Sequence, residues 1–149
     1  MYTGRGQTVP KDVVSVRFDP SVTEAEDNAF RHCTQLTEVV LNEGLLKIGD
    51  GAFKGCKSLK NIKLPLSVEE VDCSAFESCT NLVEVVLNKG LKEIWTDAFA
   101  KCTSIVSITL PSSLFIVRGG VFKDCCRLRN VVLSEGIKWI EGLGKYQSA

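Results

Sequence analysis

What this chain most plainly lacks is an excess of charge of one sign. Lysine plus arginine number 18, aspartate plus glutamate number 18, and the formal net charge is zero. Proteins that track nucleic acid or lie on anionic membranes carry a basic surplus, so the balance argues against both partners. No apolar run approaches the length of a membrane-spanning helix, which argues against membrane insertion. The opening MYTGRGQTVPKD is too polar to read as a signal peptide. There is one histidine, His32. Triads and most metal sites need a histidine set against a nucleophile or further ligands. His32 instead occupies a position that varies between repeats (Gly55, Ser78, Lys101, Asp124) and reads as a solvated side chain. The chain also has no Gly-rich phosphate loop, no H-E-x-x-H and no G-x-S-x-G. No residue is assigned a catalytic role, no metal ligand is assigned and no cofactor is implied.

What is present is ordinary in amount and unusual in order. Apolar residues make up 44% of the 149 and charged residues 24%, as in a globular domain. Alanine-phenylalanine pairs at 29, 52, 75 and 98, with Val121-Phe122 after them, recur every 23 residues. A fixed period in this range signals a stacked repeat architecture. Each unit runs A-F-x-x-C-x-x-L-x-x-V-x-L-x-x-x-L-x-x-I plus three residues. The phenylalanine column is Phe30, Phe53, Phe76, Phe99 and Phe122, and the cysteine column is Cys33, Cys56, Cys79, Cys102 and Cys125. The aliphatic columns, including Leu41, Leu64, Leu87, Leu110 and Leu133, exchange only one aliphatic for another.

Residues 1–12 show no periodic apolar pattern and are expected to be a flexible lead-in. Residues 13–143 form the repeat domain, with one partial unit followed by five full ones, and residues 144–149 form a tail. Gly144-Lys145 stands where a sixth Ala-Phe would fall, so the array stops without a polar cap and its ends could support self-association. Within a unit, Val85-x-Leu87 alternates like a strand, and Pro65, Pro111 or Gly44, Gly90 and Gly136 punctuate a turn. Leu91-x-x-Ile94 reads as a second extended piece. The spacing of Ala-Phe-x-x-Cys-x-x-Leu predicts one short helical or 3₁₀ turn. A single unit cannot bury its own apolar face, and stacking supplies the core.

These columns resemble the leucine-rich repeat superfamily, for which L-x-x-V-x-L is the strand signature. They are most similar to its 23-residue BspA-type class, I-x-x-x-A-F-x-x-C-x-x-L-x-x-I-x-L-P, across residues 13–143. The resemblance implies an α/β-type repeat solenoid: a short right-handed curved coil with a parallel β-sheet on its concave side. It also implies a usual role in binding other proteins or cell surfaces.

If the resemblance holds, the residues flanking the buried strand positions form two outward rows. One contains Ser15, Glu38, Asn61, Glu84, Ser107 and Asn130; the other contains Arg17, Val40, Lys63, Val86, Thr109 and Val132. With Asn88, eleven of these residues are the candidate partner-binding face: Glu38, Val40, Asn61, Lys63, Glu84, Val86, Asn88, Ser107, Thr109, Asn130 and Val132. Val40, Val86 and Val132 recur every second unit, in copies that share V-V-L, while the copies between them read I-x-L-P. This points to a larger period of two units. The valines suit either docking of a partner or simple strand propensity. Five basic and five acidic residues interleave on and beside this face, which suits a protein or peptide and not a phosphate backbone. Trp95 and Trp139 fall in different columns and suit either a second contact surface or packing of the terminal coils.

The seven cysteines cannot all pair internally, and there is no Asn-x-Ser/Thr sequon. Both features, with the absence of a leader pattern, favour a cytoplasmic location, with a surface-exposed parent protein as the other placement. One cysteine per coil is not zinc-ligand spacing, so the column reads as a ladder of small buried hydrophobes. Cys73 and Cys126 fall outside the column and are the candidates for an oxidisable thiol. The function that fits is a non-catalytic scaffold binding a protein through its concave sheet, with a structural or adhesion segment of a larger surface protein as the alternative.

Overall fold

The structure is a computed structural model that describes residues 1–136. The chain winds into a parallel β-solenoid of about five turns, and each turn visits three faces. The first face carries strands β1 (Ser15–Arg17), β3 (Glu38–Val40), β5 (Asn61–Lys63), β7 (Glu84–Val86), β9 (Ser107–Leu110) and β11 (Asn130–Leu133). The second carries β2 (Glu24–Ala25), β4 (Lys47–Ile48), β6 (Glu70–Val71), β8 (Glu93–Ile94) and β10 (Ile116–Val117). The third holds the Ala-Phe-x-x-Cys segments, which are consecutive turns.

No helix occurs among the described residues, so the expected helical or 3₁₀ turn is replaced by something else. The reason lies in two columns that bracket Ala-Phe. Asn28, Gly51, Ser74, Asp97 and Gly120, and then His32, Gly55, Ser78, Lys101 and Asp124, all have φ between +54° and +75°. A left-handed residue before the Ala-Phe pair and another two residues after it leave no run of right-handed residues for a helix. The backbone donors go elsewhere. Asn28, Phe30 and His32 give their N–H groups to Asp50, Ala52 and Lys54 of the next coil, at 2.8, 2.7 and 2.7 Å. The residues between them, Ala29 and Arg31, close four-residue turns on Glu26 O and Asn28 O, both at 3.1 Å. Glycine, asparagine, aspartate and serine tolerate these dihedrals better than most residues, which is why they fill the first column.

The core is the stack of inward columns. Phe30, Phe53, Phe76 and Phe99 stack nearly parallel with ring centroids 5.0, 5.3 and 5.2 Å apart, and Phe122 follows at 6.2 Å. Residues 1–12 are not the free lead-in that the sequence suggests. Tyr2 is buried, bridges Phe18 through bonds to Arg17 O and from Asp19 N, and packs at 4.6 Å on Phe18 and 4.9 Å on Phe30. One aromatic residue in a polar segment has no periodicity to reveal it, yet it covers the first ring of the stack.

The cysteine column is buried and its thiols are free. Each Sγ approaches a carbonyl of the preceding coil: Cys56 on Phe30 O, Cys79 on Phe53 O and Cys102 on Phe76 O, all at 3.1 Å, and Cys125 on Phe99 O at 3.0 Å. Cysteine here is a small hydrophobe that also supplies a weak donor to a buried carbonyl. Burial raises the Cys56 thiol to about 12 and the Cys125 thiol to about 11, and pushes Cys79 and Cys102 well above the ordinary thiol range. The thiolate is the reactive form, so iodoacetamide at about pH 8 should alkylate exposed Cys126 in the native protein and spare Cys56, Cys79 and Cys102 until denaturant is added. Intact mass before and after unfolding reads the result; native labelling of the column would show that it is not core.

Candidate surface on the strand face

The first strand face presents both outward rows in the register expected from the repeat. Ser15 faces Glu38, Asn61 faces Glu84 and Ser107 faces Asn130, while Arg17 faces Val40, Lys63 faces Val86 and Thr109 faces Val132. The buried residue between them follows the pleat, as in Glu84–Val85–Val86, where only Val85 turns inward. Val86 is 40% exposed and Val132 47%, while Val40 is half-buried.

Asn88 does not belong to this surface. It is 5% exposed, and its Nδ2 donates to Leu66 O at 3.1 Å and Val68 O at 2.8 Å in the preceding coil. Asn42, two coils earlier, does the same with Pro20 O and Val22 O. Asparagine carries two donors on one nitrogen, so it satisfies two loop carbonyls that no backbone N–H reaches. The loop glycine two residues on makes room for this: a Cβ on Gly90 would lie 2.7 Å from Leu66 O. Asn88 is a structural residue, and its recurrence with the V-V-L copies was the signal.

The alternation of coils has a structural counterpart. On this face the strands pair two by two, as β1 with β3, β5 with β7 and β9 with β11, and no ladder joins β3 to β5 or β7 to β9. Each pair joins a V-V-L strand to the strand of the coil before it. The second face, by contrast, is one continuous sheet in the order β10-β8-β6-β4-β2. In the V-V-L coils Leu41 and Leu87 are only partly buried, whereas Leu64 and Leu110 in the coils that follow them are 2% and 0% exposed. Leu133, expected in the core, is 54% exposed.

The gap between β7 and β9 carries a shallow depression. Glu84 and Val86 line one side and Ser107 and Thr109 the other, with Lys89 and Pro111 at one end. Four of the predicted surface residues therefore meet at one place. Glu38, Val40, Asn61, Lys63, Asn130 and Val132 continue the rows on either side. Val83 and Val106 also stand at this gap, 56% and 45% exposed. The repeat columns do not reveal them, because their own column (Val14, Thr37, Lys60, Val83, Val106, Arg129) mixes apolar and charged residues.

Other charged groups serve the second face. Lys47 bridges Glu70 at 3.4 Å and Asp72 at 3.0 Å across neighbouring coils. Trp95 is partly buried; its Nε1 donates to Glu93 at 3.1 Å, and Arg118 lies over its ring at 5.0 Å, so Trp95 belongs to this face's local packing. Trp139 lies outside the described residues. His32 is exposed, as expected, in the left-handed turn column. No group of three or more histidine, cysteine, aspartate or glutamate side chains that could hold a metal ion occurs among the described residues.

The comparisons agree with this architecture. The family model described as BspA type leucine rich repeat region matches six copies over residues 23–143. A leucine-rich repeat protein of T. pallidum superposes with a TM-score of 0.77 at 32% identity, over 79% of this chain and 57% of that one. The pneumococcal vaccine antigen PcpA superposes with a TM-score of 0.75 at 26% identity, over 83% of this chain and 31% of that one. A leucine-rich repeat protein of Bacteroides ovatus shares the fold, with a TM-score of 0.60 at 24% identity, over 87% of this chain and 40% of that one. No curated protein matches the chain significantly in sequence. The chain thus spans 57% or less of the length of these solved structures. By its repeat columns, its stacked coils and the match over residues 23–143, this chain belongs to the BspA-type leucine-rich repeat family.

Proposed function

We propose that this chain is a non-catalytic scaffold that binds a protein or peptide partner on its first strand face, the concave side of the coil. The observation that carries the reading is the cluster of Glu84, Val86, Ser107 and Thr109 around the depression between β7 and β9. Charged, hydroxyl and apolar groups sit there side by side on adjacent coils. Mixed surfaces of this kind, with apolar spots among polar groups, suit protein recognition. The balanced charge of the whole chain fits the same class of partner. Glu84→Lys combined with Val86→Asp reverses the charge and removes the apolar spot without touching the core. Binding of a partner retained by the wild-type protein in a pull-down should fall by about tenfold or more. Equal retention by the double variant would overturn the assignment to this face.

A second reading has its own observation. The chain covers 31% of PcpA and 57% of the T. pallidum protein, so its coils match part of longer proteins. In this reading the chain is a structural or adhesion segment of a larger cell-surface repeat protein. Flanking coding sequence that carries a leader and a wall or membrane anchor would support it.

A further inference from the structure

We infer that the first strand face is articulated. Its coils form rigid two-coil leaves, and the gaps between leaves are compliant slots that let this face adjust its width while the other two faces hold the coil spacing.

The hydrogen bonds show the division. Within each leaf, the residue that precedes the strand bonds to the coil before it: Thr37 N to Val14 O at 2.8 Å, Val83 N to Lys60 O at 2.8 Å and Arg129 N to Val106 O at 2.9 Å. The same position at the two gaps, Lys60 N toward Thr37 and Val106 N toward Val83, makes no such bond. The residues after the strands repeat the pattern. Phe18 N reaches Val40 O at 2.9 Å and Leu64 N reaches Val86 O at 3.0 Å, while Leu41 and Leu87 have no counterpart bond. Proline contributes at both gaps. Ser134 N donates to Leu110 O at 3.0 Å, but Pro65 and Pro111 occupy that column at the gaps and carry no N–H.

The other faces show no such alternation. On the second, Leu46, Glu69, Lys92 and Phe115 each donate to the preceding coil, at 2.8 to 3.1 Å. On the third, Phe30, Phe53, Phe76 and Phe99 each donate to the following coil, at 2.7 to 3.0 Å. Every one of these junctions is bonded, including those that are open on the first face.

Each slot is also closed at both ends by serine. Ser58 Oγ donates to Thr34 O and Ser67 Oγ to Leu45 O, each at 2.6 Å, and these bracket the slot between β3 and β5. Ser104 Oγ donates to Thr80 O at 2.7 Å and Ser113 Oγ to Leu91 O at 2.6 Å, and these bracket the slot between β7 and β9. The coils that carry the prolines carry both serines, so loss of the ladder and its brackets come together every second unit. The loop asparagines, by contrast, tie coils within a leaf. The slot between β7 and β9 is the one with the depression, lined in part by Val86, and exposed Val83 and Val106 directly precede its two strands. The proposed partner site therefore lies on a compliant line, although the inference about compliance stands without a partner.

Amide hydrogen exchange on the full chain, resolved by residue with NMR, tests this. The amides of Leu41, Lys60, Leu87 and Val106 should exchange at least about tenfold faster than those of Phe18, Leu64, Val83 and Arg129, at unchanged protection of Phe53, Phe76, Glu69 and Lys92. Equal protection of the two first-face sets would overturn the inference. So would equally fast exchange at the second- and third-face amides, which would mean that whole coils open. A Ser104→Ala, Ser113→Ala variant should accelerate Leu87 and Val106 further and leave Lys60 unchanged; no change at Leu87 and Val106 would overturn the bracketing role.

Discussion

Replacing Phe76 by alanine is expected to destabilise the protein by about 3–5 kcal/mol, the cost of truncating a fully buried phenylalanine. Phe76 is 0% exposed and lies between Phe53 at 5.3 Å and Phe99 at 5.2 Å. Its removal takes away both ring contacts and leaves a cavity that rigid neighbouring coils cannot close. In a stacked array the stability is a sum over units and their interfaces, so damage to a central unit weakens two interfaces at once. The denaturation midpoint and slope of Phe76→Ala measured beside wild type give the difference. A midpoint that barely moves would show that the phenylalanine column does not form the core.

Asn88→Leu is expected to cost about 2–4 kcal/mol, since it strands two loop carbonyls at about 1–3 kcal/mol each while adding some apolar burial. Leucine is close to asparagine in size but has no donor, so Leu66 O and Val68 O lose the Nδ2 that bonds them at 3.1 and 2.8 Å. Ser107→Ala, on the exposed row beside it, is the control and should change stability by no more than about 0.5 kcal/mol. The same denaturation experiment distinguishes the two. If Asn88→Leu also fell within that range, Asn88 would be a surface residue as the repeat pattern first suggests, and its place in the partner-binding set would be restored.

These residues show where a one-dimensional pattern is informative. The phenylalanine column reads correctly because one requirement, filling a buried slot of fixed size, is imposed again in each coil. Asn88 reads incorrectly because outward strand residues and loop-capping residues look alike in a polar column; only the direction of Nδ2 separates them. The turns read as helical because the spacing of Ala, Phe, Cys and Leu fits a 3.6-residue period, while the left-handed dihedrals at Ser74 and Ser78 interrupt it. Small polar residues at both positions were the available signal. Tyr2 carried no signal, since a cap is used once and repetition cannot expose it.

The period of 23, the inward columns, the strand register and the alternation of V-V-L with I-x-L-P coils are all written in the chain. They are legible because each coil repeats the same packing problem, so the same solution recurs at the same spacing. Which first-face strands join was settled by the folded molecule: β5 with β7 but not β7 with β9, with Ser104 and Ser113 closing the slot. So were the burial of Asn88 and Tyr2 and the meeting of Glu84, Val86, Ser107 and Thr109 at one depression. Those features depend on hydrogen-bond directions and distances between coils 23 residues apart, and a list of residue types carries neither.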